Sequence, residues 1–175
     1  MSEIQNIYLI GPMGSGKTAV GRQLARLLHM GFHDSDVEIE RRTGVDIPYI
    51  FEKEGEAGFR EREREVIDLL TQLSNVVIAT GGGAILLPEN RDRLAQRGHV
   101  VYLKTGIEQQ LERTRHGRQR PLLYTDDPET RLRDLMTQRA PLYESIAKIT
   151  VATDGRAVRT VADEIVQLLK DPVTS

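Results

Sequence analysis

Residues 11–18 read Gly11-Pro12-Met13-Gly14-Ser15-Gly16-Lys17-Thr18. They fit the pattern G-x-x-x-x-G-K-[ST] without a gap. The apolar run Ile7-Tyr8-Leu9-Ile10 precedes them, and a helix-like stretch, residues 19–28, follows. That order of strand, loop and helix is the setting in which such a loop wraps phosphate. Glycines let the backbone curl tightly with its N–H groups turned inward. The positive end of the following helix faces the same anion. Lys17 reaches the β- and γ-phosphates, and the Thr18 hydroxyl serves as a Mg²⁺ ligand. The bland alternative, a glycine-rich turn that happens to precede a helix, leaves both flanking elements unexplained. The segment predicts a bound nucleoside triphosphate.

The rest of the composition narrows what such a chain does. Its 175 residues suit one compact domain, 39% hydrophobic and 29% charged. The net charge is −2 and the pI about 6.1, so the global basic footprint of a nucleic-acid binder is missing. With no cysteine there is neither a disulfide nor a thiolate metal site. No apolar run approaches the ~18 residues of a membrane span. The opening Met1-Ser2-Glu3 has no basic segment leading into an apolar one. A cytoplasmic protein that engages neither membrane nor nucleic acid, and acts as a monomer, is the expectation.

Apolar runs alternate with helical patterns. Strands are expected at residues 4–10, 31–33, 76–79, 100–103 and 149–151, and helices at 16–28, 59–73, 88–97 and 156–170. The runs at 76–79 and 100–103 are short, continuous and bounded by turns, as in strands buried on both faces. The alternation predicts a three-layer α/β/α P-loop domain with a five-stranded parallel sheet. Two segments interrupt it. Residues 37–64 are long, charged and helical, and residues 113–127 are arginine-rich with Gly117 and Pro121. They are the places for a helical substrate-binding segment, about 33–64, and a mobile lid, about 112–127.

A P-loop needs a carboxylate near its metal. The strands at 76–79 and 100–103 run into Thr80 and Lys104 and supply none. Asp34-Ser35-Asp36 is the candidate. In an extended stretch Asp34 and Asp36 point to one side, one toward Mg²⁺ and the other toward an acceptor hydroxyl. The competing reading is a helix cap, with Ser35 or Asp36 ahead of 37–40. Gly81-Gly82-Gly83 after a buried strand is costly unless something approaches the backbone closely, so it is expected to wall the acceptor pocket. A plain turn before Pro88 is the alternative. Residues 112–120 hold four arginines and one glutamate, a local +3, suited to closing on a triphosphate. Arg60 and Arg139 are not separable on pattern alone from solvated arginines such as Arg41, Arg42, Arg62 and Arg64. His29, His33, His99 and His116 lack metal-ligand spacing and read as surface or helix-end residues.

Taken together, Gly11 to Thr18, Asp34-Ser35-Asp36, Gly58-Phe59-Arg60-x-x-Glu63, Thr80-Gly81-Gly82-Gly83, Arg120-Pro121-Leu122-Leu123 and Arg139-x-Pro141-Leu142-Tyr143 resemble the shikimate kinase family over essentially the whole chain. The resemblance implies transfer of the ATP γ-phosphoryl group to the 3-hydroxyl of shikimate. It implies that Asp36, Arg60, Gly82 and Arg139 contact shikimate, with Glu63 holding Arg60. It assigns ATP to Gly14, Ser15, Gly16, Lys17, Thr18 and Ala19, with Arg120 as the lid arginine and Arg113 and Arg156 bordering the adenine. Thr18 and Asp34 would serve Mg²⁺, and Lys17, Asp36 and Arg120 would carry the catalysis. Tyr143 reads as a packing residue. Two other readings compete: a P-loop kinase for gluconate or a nucleoside monophosphate, and a non-catalytic nucleotide switch. The first should lack the Arg60, Arg139 and triple-glycine set; the second would show an N-K-x-D motif, which does not occur.

Overall fold

A computed structural model of the chain describes residues 5–114 and 127–171. The elements run β1 (Ile7–Ile10), α1 (Lys17–Leu28), β2 (Gly31–Asp34), α2 (Ser35–Thr43), α3 (Ile47–Leu70) and β3 (Val76–Ala79). Then come α4 (Pro88–Arg97), β4 (His99–Lys104), α5 (Ile107–Thr114), α6 (Pro128–Ile146), β5 (Ile149–Ala152) and α7 (Val158–Lys170). All strand pairs are parallel, in the order β2-β3-β1-β4-β5. The five expected strands and the α/β class stand.

Strand alternation builds two cores. Tyr8 and Ile10, Val76 and Ile78, and Val100 and Tyr102 face one side and pack with residues of α2, α3, α4 and α6. Ile7 and Leu9, Val77, Val101 and Leu103 face the other, against α1 and α7. Each fully buried aliphatic side chain contributes about 1.5–3 kcal/mol. Because β1 lies between β3 and β4, the loop after it emerges at the centre of the sheet's carboxyl edge, where ligands sit in open parallel sheets.

Several boundaries differ from expectation. β1 starts at Ile7, not residue 4. Asn6 commits its side chain to Leu73 O (2.6 Å) and the Val76 N–H (3.1 Å), tying the strand's entrance to the loop before β3. Gly16 caps α1 rather than joining it, and Arg156 precedes α7 rather than opening it. The helix expected at 59–73 is the second half of α3 and ends at Leu70. The segment at 37–64 resolves into α2 and the first part of α3, which kinks at Gly55 (φ 72°, ψ −178°). Helix α5 was not anticipated, and it takes in the first residues of the expected lid, Glu112, Arg113 and Thr114. Residues 115–126, with His116 and Arg120, lie outside the described residues.

His29 is the left-handed C-cap of α1, as a helix-end residue should be. His99 is a correction: it opens β4 and is partly buried. Burial, and secondarily the Lys148 charge, hold its imidazole below the usual histidine range. The folded state therefore binds fewer protons than the unfolded chain, and stability falls as pH drops below about 6.5. Thermal unfolding at pH 7 and pH 5.5 should show this loss, and His99→Asn should reduce it; an identical pH response in the variant would remove His99 as the cause.

Candidate active site

The P-loop turns into α1 through Gly16, at φ 88°, a left-handed geometry that favours glycine. No side chain caps α1 and its first turn carries no acid, so its leading amides are open to an anion. Helices α2, α3 and α6 each start on an aspartate that accepts from the leading amides of its own helix: Asp34, Asp46 and Asp127. Lys17 is buried in the loop, with Nζ donating to Gly11 O (2.6 Å) and Pro12 O (2.8 Å). Arg113 leans in from α5 and donates to Gly14 O at 3.3 Å.

The Thr18 hydroxyl donates to Asp34 Oδ2 at 2.7 Å. The other Asp34 oxygen accepts from the backbone amides of Asp36 (2.9 Å) and Val37 (3.2 Å). The cap of α2 is thus Asp34, one or two residues earlier than the sequence suggested, and it doubles as the partner of Thr18. Asp36 sits within the first turn of α2, so the two aspartates do not share an extended run. They line one cleft nonetheless. Ser35, fully buried between them, accepts from the Gly81 N–H at 3.1 Å and fastens α2 to the glycine run.

Each glycine of that run lies against a charged side chain. A Cβ on Gly81 would stand 2.8 Å from Asp36 Oδ1 and 2.9 Å from Glu63 Oε2. On Gly82 it would stand 3.5 Å from Arg139 Nη1, and on Gly83 2.5 Å from both terminal nitrogens of Arg60. Close approach accounts for Gly81 and Gly83; at Gly82 the contacts are ordinary, and the run also turns, with the Ala84 N–H donating to Gly81 O at 3.0 Å. Gly81→Ala should lower turnover at least tenfold and destabilise by about 1–3 kcal/mol, since two carboxylates must move. Gly31→Ala, whose new methyl would meet only ordinary contact at 3.5 Å from Val76, is the control. Equal behaviour of the two in turnover and thermal melts would refute the packing argument.

Arg60 and Arg139 separate from the other arginines by burial. Arg41 and Arg42 pair with Glu38, Arg62 with Glu54 and Arg64 with Glu61, all on the surface. Arg60 is buried and donates to Glu63 Oε1 at 2.9 Å, with Glu56 at 3.3 Å. Burial pushes the Glu63 carboxyl above its usual range, against the opposing pull of Arg60 and then Arg139. Arg139, on α6, is 4% exposed, and its Nε has no hydrogen-bond partner among the described residues. A buried guanidinium nitrogen without an acceptor is expensive, and the Arg139 side chain lines a cleft.

That cleft has a volume of about 460 Å³ and runs from Met13, Lys17 and Thr18 past Asp34 and Asp36 to Arg60, Glu63, the three glycines and Arg139. Gly14, Gly16, Ala19 and Arg113 also line it. Ser15 is buried within the loop. Arg156 is not among the lining residues; it pairs with Glu164 at 2.6 Å and donates to Ala152 O beyond the end of β5. Sequence reasoning missed the apolar wall of Val37, Ile47, Phe51 and Phe59. Its signal was present as exposed-looking apolar residues in a charged helical stretch. Among the described residues no group of three or more His, Asp or Glu could hold a metal. One hydroxyl and one carboxylate beside a phosphate loop nevertheless fit Mg²⁺, which takes one or two protein oxygens plus substrate phosphates.

The family model described as shikimate kinase matches residues 13–170. The chain belongs to the shikimate kinase family. The shikimate kinase of Halorhodospira halophila is 57% identical over 164 residues, covering 94% of this chain and 93% of that one. The shikimate kinase of Vibrio cholerae serotype O1 is 53% identical over 173 residues, 99% of each chain. Among solved structures, shikimate kinase from Acinetobacter baumannii in complex with shikimate superposes with a TM-score of 0.96 at 53% identity, covering 98% of this chain and 96% of that one. The chain is an ATP-dependent kinase, and the family's reaction is its own: the γ-phosphoryl group of ATP passes to the 3-hydroxyl of shikimate, giving shikimate 3-phosphate and ADP, a step of aromatic amino acid biosynthesis.

Proposed function

We propose that this transfer takes place within the single cleft, with ATP at its P-loop end and shikimate at the end holding Arg60, Gly82 and Arg139. The observation that carries this is the continuity of the cleft between a phosphate loop and two buried arginines. Gly14, Ser15, Gly16, Lys17, Thr18 and Ala19 hold the phosphates. Arg113, already against the loop, borders the nucleotide, and Arg156 and Arg120 are assigned beside it and over it by the resemblance alone. Shikimate's carboxylate suits planar bidentate partners, and the Arg139 guanidinium, which lines the cleft, is such a partner. Arg60, held by Glu63, is the second.

The acceptor hydroxyl lies toward Asp36, which orients it and accepts its proton as the new oxygen–phosphorus bond forms and the bond to the β-phosphate oxygen breaks. Lys17, and Arg120 from the lid, offset the charge on the migrating group. Thr18 and Asp34 would hold Mg²⁺, which when bound adds positive charge at the phosphates. The lid at 112–127 excludes water, the substrate-binding segment is 33–64, and the whole acts as one domain and as a monomer in the cytoplasm, without nucleic acid or membrane. No helix among the described residues is long and apolar enough to cross a membrane. ADP release with ATP and Mg²⁺ should depend on added shikimate, with gluconate and AMP inactive in parallel. Turnover with either of those acceptors, or none with any, would overturn the assignment of the acceptor end.

A further inference from the structure

Tyr143 lies one helical turn beyond Arg139 on α6 and is fully buried, its ring stacked on Tyr102 with centroids 5.0 Å apart. Packing alone would be served by phenylalanine, since a buried hydroxyl costs free energy unless it is bonded. The Tyr143 hydroxyl is bonded: it donates to Gly82 O at 2.5 Å. The Arg139 guanidinium, which also faces Gly82, is a charged neighbour of that oxygen. The Gly82 carbonyl belongs to the peptide that continues into Gly83, and Gly83 lies directly against the Arg60 guanidinium. One phenol oxygen therefore lies beside one acceptor arginine and holds the peptide on which the other rests. Its stacking partner provides the contrast: the Tyr102 hydroxyl is buried and has no hydrogen-bond partner among the described residues.

We propose that Tyr143 is a positioning residue for the acceptor, its hydroxyl fixing the Gly82 peptide relative to the Arg139 guanidinium so that both meet the substrate carboxylate in one arrangement. The proposal rests on the reading of Arg139 and Gly82 as acceptor-binding groups. Burial keeps the phenol protonated, so it remains a donor to Gly82. The hydroxyl's hydrogen bond goes to the acceptor wall, so its removal should loosen the acceptor more than the nucleotide.

The test compares Tyr143→Phe with Tyr102→Phe in steady-state assays in which shikimate and ATP are varied separately, alongside thermal melts. Tyr143→Phe should raise the KM for shikimate by about 5- to 30-fold, the loss of roughly one strong hydrogen bond. Its kcat and the KM for ATP should stay within about twofold, and Tyr102→Phe should leave all three unchanged. A double-mutant cycle with Arg139→Lys completes it: Tyr143→Phe should add little to the shikimate KM once Arg139 is replaced. An unchanged shikimate KM in Tyr143→Phe, equal effects from both phenylalanine variants, or full additivity with Arg139→Lys would overturn the proposal. The cycle also separates the two ideas. If Arg139→Lys leaves the shikimate KM untouched, the acceptor reading fails; if it raises that KM while Tyr143→Phe does not, only the positioning role fails. Should Tyr143→Phe not fold, the hydroxyl is structural and the positioning role is refuted.

Discussion

Asp36→Asn is expected to lower kcat about 10²- to 10⁴-fold, the range associated with a positioned acid–base group, while ATP binding and the fold survive. The substitution is isosteric and exchanges one oxygen for a nitrogen at a site crowded by Gly81. What it removes is the negative charge and the proton-accepting oxygen. The structural cost is confined to the first turn of α2, where an acidic side chain contributes about 0.3–1 kcal/mol with the helix dipole. The cap itself belongs to Asp34 and is retained. Steady-state turnover with calorimetric ATP binding checks this. Turnover within a few-fold of the parent would remove Asp36 from the chemistry and leave it as a helix-start residue.

Arg139→Met should have the second large effect, and it should be selective. Each lost charged hydrogen bond to the acceptor carboxylate costs roughly 1.5–3 kcal/mol, about 10- to 150-fold in shikimate affinity. ATP affinity should change by less than about twofold, because Arg139 stands on α6 against Gly82 and is assigned to the acceptor. Stability should change little, because the cost of the unmet nitrogen is removed while the buried Glu63 carboxyl loses an attractive charge. Arg139 also opposes the effect of burial on Glu63, so the Glu63 carboxyl should shift further upward in the variant. Isothermal titration of both ligands, with thermal melts, measures these together. Equal losses for ATP and shikimate would show that Arg139 supports the whole cleft rather than one ligand.

Much of the fold was legible because its signals are local. A four-residue apolar run cannot be hidden when both faces of a parallel sheet are covered, so 76–79 was bounded to the residue. Where the chain departs from expectation, a tertiary contact or an ambiguous period is responsible. Asn6 looks like strand but bridges two backbone groups some seventy residues away. Helix α5 begins with no side-chain signal as plain as the proline that opens α4, and its charges read as part of the lid. The split of 37–64 into two helices turns on Gly44 and Gly55, which in sequence are ordinary residues of a charged helical stretch.

The candidate site divides along the same line. Phosphate binding was written in the chain itself, because a P-loop is one continuous segment whose glycines, lysine and threonine act at fixed spacing. The sequence also placed an acid pair after β2 and a glycine run after β3, since both follow strands that end at the same edge of the sheet. It did not distinguish Arg60 and Arg139 from the arginines around them, except by resemblance. An arginine becomes a carboxylate partner only when folding buries it away from competing acids and water, and burial is set by residues distant in the chain. Only the tertiary structure shows why Gly81 and Gly83 are glycines: Asp36 of α2 and Glu63 and Arg60 of α3 meet them at distances that leave no room for a Cβ.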